Sequence, residues 1–208
     1  MALSETQLVL LAALANQPMT GMTGLNAEDD TVLQNAEDEH NAIALEQIPG
    51  LGSDWKVQEI TTVDVQRAIQ AEAALRGVAA TTGDRDFVGM AAVVFRNDVT
   101  GEAVISFRGT QLEDGAAETG FDIAADLDLG AGVAHTQVYA AYYFLKAALN
   151  LLSPQQTANL TLTGHSLGGG LASLMGMYSG INTVVFDPAL SLRVARDMLG
   201  EGDRKSVV

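Results

Sequence analysis

The stretch TLTGHSLGGGLA, Thr161 to Ala172, constrains this chain more than any other. It sets Gly164, Ser166 and Gly168 in a G-x-S-x-G spacing, between a short apolar strand at Leu160 to Leu162 and an Ala/Leu/Met-rich helix from Leu167 to Tyr178. A strand that passes into a helix within so few residues must turn sharply. The turn strains the serine backbone and crowds its neighbours until only glycine fits. Glycine, serine and leucine are common, so the five-residue match is weak alone; its place between strand and helix makes it informative. In that place the Ser166 hydroxyl stands above the sheet at a helix N-terminus, whose free N–H groups face any charge formed during acyl transfer. Ser166 is therefore a candidate nucleophile, and the N–H of Leu167 a candidate oxyanion donor.

A second donor is expected from a loop after an earlier strand. VGMAAVVF from Val88 and AVISF to Phe107 read as two strands joined by RNDVTGE, a hairpin. The second strand runs into Arg108, Gly109 and Thr110, where the N–H of Thr110 is placed to donate; the plain alternative is an ordinary strand end with Arg108 in a surface ion pair. Residues 111–134 hold many acidic residues and glycines and read as a loop with a short helix around Ile123 to Leu127. His135 to Leu152 then has helical spacing, stopped at Ser153-Pro154. After the elbow, Gly180 ends the helix, Asn182 to Phe186 reads as a buried strand, and Leu190 to Leu199 as an amphipathic helix. Upstream, Ser4-Glu5 opens a surface-docked helix, Val57 to Val63 suits a strand, and Val65 to Val78 a helix. Strands alternating with helices predict an α/β fold, a mainly parallel sheet with helices on both faces.

Composition narrows the function classes. The 208 residues suit one domain, 1–208, with residues 1–56 as a helical and acidic N-terminal extension. A formal charge of -15 argues against nucleic acid and against an anionic membrane surface, since phosphates would repel it. Zero cysteines exclude disulfides, zinc-thiolate sites and a cysteine nucleophile. The N-terminal apolar run is too short to span a bilayer and lacks the basic start of a secretory signal, so no transmembrane segment is expected. In NAEDDTVLQNAEDEH, Asn26 to His40, a calcium loop competes with a solvated acidic helix face; the alternating ligand pattern is absent, which favours the face. No cofactor and no metal are expected.

Taken in order, VISFRGT, FDIAADLDL, AHTQVYAAYYF and LTGHSLGGGLA resemble the class 3 lipases of the α/β-hydrolase superfamily, especially lipase-like domains of exported bacterial proteins. The resemblance covers about Phe87 to Pro188. It implies an α/β-hydrolase fold, with Ser166 as nucleophile and Thr110 and Leu167 as oxyanion donors. The family's usual tryptophan is absent from GFDIAADL, and Gln137 and Val138 stand where relatives carry glycine and phenylalanine. His135 matches a family histidine on a helix that is not the base.

In this superfamily the acid and the histidine follow the serine in chain order. Asp187, after NTVVF and before Pro188, is the best acid in the chain, but the usual acid lies one strand later, which leaves a structural carboxylate as the alternative. Of the three histidines, His40 and His135 precede the elbow and His165 lies inside it, so no base is assigned. These facts lead to the expectation of a C-terminally truncated hydrolase domain, poor as a catalyst, that either self-associates along the strand Asn182 to Phe186 or takes up a missing C-terminal segment. The substrate expected is an acyl ester or lipid, through a serine acyl-enzyme, with lipase, esterase and phospholipase all open. A non-catalytic scaffold binding an acyl ligand or a partner is the alternative. The acidic, alanine-rich loop Gln111 to Gly132 lacks the apolar face of an interface-seeking lid. Secretion without an N-terminal signal peptide is expected, with the cytoplasm as the alternative.

Overall fold

The computed structural model describes residues 3–15, 23–25, 45, 48–78, 90–108 and 131–189. The expected helices at Ile123 to Leu127 and Leu190 to Leu199, the acidic stretch from Asn26 to His40 and the lid segment to residue 130 lie outside these residues.

The chain begins with α1 (Glu5–Leu14), then β1 (Thr23–Leu25), β2 (Trp55–Gln58), α2 (Thr62–Leu75), β3 (Met90–Asn97) and β4 (Ala103–Phe107). There follow α3 (Ala131–Leu151), α4 (Pro154–Ala158), β5 (Leu160–His165), α5 (Leu167–Ser179) and β6 (Asn182–Phe186). The strands form one six-stranded sheet in the order β1-β3-β4-β5-β6, with β2 also paired to β3. The sheet is mixed. β4, β5 and β6 are parallel, whereas β1, β2 and β4 all run antiparallel to β3. The expectation of a mainly parallel sheet therefore holds for the half that carries the elbow. The other half is antiparallel; for β3 and β4 this follows from the tight turn that joins them, which leaves no room for a crossover.

Strand alternation sends successive side chains to opposite faces, and each face is covered. On one, Ala92, Val94, Ile105, Phe107 and Leu162 meet α2, α3 and α5 residues such as Val65, Phe144 and Leu171. On the other, Ala91, Val93, Phe95 and Val104 meet Leu8 and Leu11 of α1 together with Ile48, Leu51 and Trp55. Helical layers on both faces fit an α/β-hydrolase fold.

Local chemistry explains where the elements start. Ser4 with Gln7, Thr61 with Asp64 and Ser153 with Gln156 each form a complete capping box, which satisfies the orphan N–H groups of α1, α2 and α4. The box at Thr61 corrects the strand expected to reach Val63: β2 ends at Gln58, and Thr62 and Val63 are already helical. Helix α3 begins at Ala131, so 131–134 are helical rather than loop. Strand β5 runs on to His165, three residues past the apolar run. Strand β6 has the expected bounds but is not buried: Asn182 is exposed and the rest half-buried, since among the described residues it pairs with β5 alone.

Candidate active site

Strand β5 ends at His165 and α5 begins at Leu167, so the whole reversal falls on Ser166. Its backbone has φ 54° and ψ -125°, a region that side-chain-bearing residues rarely occupy. Only one other non-glycine residue among those described has a positive φ, Asp187 at 44°. Both stand at the C-terminal ends of neighbouring parallel strands, because His165 pairs with Phe186.

The glycines around the serine are places of backbone contact. A Cβ on Gly164 would come within 3.0 Å of the Gly168 and Gly169 main chain, and one on Gly168 within 3.0 Å of the Phe107 and Arg108 main chain. The start of α5 therefore lies directly on the end of β5 and against the end of β4. Phe107 pairs with Gly164 in parallel register and stacks edge-on against Phe144 of α3, with ring centres 6.2 Å apart. Sequence reasoning overlooked Gly169, where a Cβ would sit 3.0 Å from the Gly164 carbonyl oxygen and 3.2 Å from Pro188 Cα. Its signal was present in the run Gly168-Gly169-Gly170, since three glycines in a first helical turn oppose helix propensity and imply crowding.

Ser166 as a residue is half-buried. It makes no side-chain cap to α5, unlike the serines and threonine that open α1, α2 and α4. The first N–H groups of a helix have no acceptor within it, and the Ser166 side chain supplies none here, at the positive end of the helix dipole. Leu167, the first residue of α5, carries one of them and is itself buried. The Ser166 main chain is held firmly: its N–H donates to the Phe186 carbonyl at 3.1 Å, and its carbonyl accepts from Gly170 at 3.0 Å and from Ala189 at 2.9 Å.

Asp187 follows β6 directly, next to the elbow in register, and is exposed. His165 ends β5 and is exposed. Thr110 and His40 lie outside the described residues, and of His135 only the backbone, within α3, is described. Arg108 is half-buried just after β4, and burial lowers its guanidinium pKa from the ordinary value. The Arg108 backbone N–H donates to the Ala91 carbonyl oxygen at 2.9 Å, which ties the strand end to β3.

A strained serine between a parallel strand and an uncapped helix, ringed by glycines in main-chain contact, is the arrangement that G-x-S-x-G predicted. The model of the Tle-like phospholipase domain, a phospholipase-like family, matches residues 63–200, well over half of the chain. This chain belongs to that family. The matched span takes in α2 through β6 and hence the elbow, while α1, β1 and β2 precede it. The protein is also similar to "Putative lipase ATG15" of Scheffersomyces stipitis, 43% identical over 49 residues, which is 24% of this chain and 8% of that protein. Both comparisons agree with the motifs in marking a lipase-like domain. Among the described residues no helix is long and apolar enough to cross a membrane.

Proposed function

We propose that this Tle-like phospholipase domain hydrolyses carboxyl esters of acyl lipids, phospholipids among them, through an acyl-enzyme on Ser166. The observation that carries the reading is the backbone of Ser166, φ 54° and ψ -125° at the head of a helix it does not cap. Strain of this kind costs about 1–3 kcal/mol and persists where the surroundings enforce it, which is commonly at functional sites. In the proposed reaction the Ser166 oxygen attacks the ester carbonyl carbon and its proton passes to a base. The carbonyl oxygen becomes an oxyanion facing the N–H of Leu167 and that of Thr110. Collapse expels the alcohol, which takes up the proton, and water then releases the acid. Asp187, exposed beside the elbow, is the candidate acid of the triad, whose base is not assigned.

A fluorophosphonate probe tests this. Covalent labelling mapped to Ser166, lost in Ser166→Ala, is the expected result. An unlabelled, correctly folded protein would sink the reading and leave a scaffold that binds an acyl ligand without cleaving it.

A further inference from the structure

The segment after β6 folds back onto the elbow. Asp187 has φ 44°, a left-handed conformation that Asp tolerates better than most residues, and Pro188 follows with its Cα against Gly169. The next residue, Ala189, donates its N–H to the Ser166 carbonyl at 2.9 Å, and that oxygen also accepts from Gly170 at 3.0 Å. The carbonyl of Ser166 and the N–H of Leu167 belong to one planar, trans peptide group and point in opposite directions. Two donors on the oxygen therefore fix the direction of the Leu167 N–H, and by polarising the peptide they strengthen it as a donor.

From this geometry we infer that the Ala189 backbone N–H is a positioning group for the oxyanion hole, acting through the Ser166–Leu167 peptide. The inference rests on the reading of Leu167 as an oxyanion donor and extends it to Ala189, whose amide meets the main chain of Ser166 rather than the reacting oxygen. Asp187 and Pro188 supply the turn that delivers the amide. Gly170 alone would leave the peptide held by its own helix only. The donor from beyond β6 ties its orientation to the adjacent strand and so to the sheet.

Removal of the N–H is the test. Ala189→Pro deletes it, and replacement of Ala189 by lactate, which makes residue 189 a backbone ester, deletes it without a proline ring. Ala189→Ser keeps it. With a fluorophosphonate probe, both deletions should lower the maximal labelling rate of Ser166 by about tenfold and leave the half-saturating probe concentration nearly unchanged, while Ala189→Ser labels like the parent. A purely structural hydrogen bond would lower the unfolding temperature without touching the labelling rate. A folded ester variant that labels at the parent rate would overturn the inference. Failure of the hydrolase reading shows itself separately, as a parent protein that does not label at all. In that case the Leu167 amide proton decides: it should move upfield in the ester variant, and an unmoved resonance overturns the positioning role.

Discussion

Ser166 bears two burdens that an ordinary N-cap serine avoids, a positive φ and an unmade capping bond. Glycine relieves the first without changing the fold. Ser166→Gly is expected to stabilise the protein by about 1–2 kcal/mol, seen as a rise of several degrees in the calorimetric midpoint, while it abolishes labelling. The neighbouring glycines behave oppositely. Gly168→Ala drives a Cβ into the Phe107 and Arg108 main chain, which cannot swing aside, and should cost at least about 3 kcal/mol by urea titration. Behind the elbow, Ser106 and Thr163 pair across β4 and β5, and their buried hydroxyls make no hydrogen bond among the described residues. Burial without a partner is unfavourable. Thr163→Val should therefore hold or raise the unfolding midpoint, and a clear fall would mean that the hydroxyl has a bonding role.

At the scale of elements, the helix caps divide the molecule. Helices α1, α2 and α4 are closed by their own side chains, and α5 has no cap from the side chain of Ser166. Among the polar ties within the α2–α3–α5 layer, Glu72 of α2 meets Arg76 at 2.6 Å and Lys146 of α3 at 3.7 Å. The Arg76 guanidinium, and after it Lys146, hold the Glu72 carboxyl below the usual carboxylate range. A depressed folded value contributes stability above the unfolded pKa, which is lost as pH falls through the folded one. Glu72→Gln should accordingly cost about 0.5–1 kcal/mol near neutral pH and almost nothing once the carboxyl is protonated in both states, read from urea midpoints at the two pH values. An equal loss at both would assign the effect to packing.

Across the whole molecule the formal charge of -15 opposes any anionic lipid surface. If the proposed phospholipid hydrolysis holds, that of zwitterionic vesicles should exceed that of anionic vesicles at low salt. The gap should narrow as the Debye length falls from about 10 Å at 0.1 M to about 3 Å at 1 M salt. A salt-independent preference, measured as initial rates on both vesicles, would show that net charge does not govern access. At this scale the sequence was only partly legible. The elbow, the hairpin and β6 were visible because glycine placement and apolar period are local signals. That Thr23–Leu25 and Trp55–Gln58 would share one edge of β3 was not, since strand partners are chosen by long-range packing.

Local chemistry alone specified the sharp turn at Ser166, the glycines Gly164 and Gly168 that permit it, the start of α1 at Ser4, and a charge hostile to anionic surfaces. These follow from backbone sterics, hydrogen-bonding side chains and Coulomb repulsion, all of which act over a few residues or over the sum of them. Tertiary structure decided the rest: which half of the sheet is parallel, that β4 lies against Gly168, and that the amide of Ala189 reaches the Ser166 carbonyl. Those contacts join residues far apart in the chain, and only burial of both sheet faces at once brings them together.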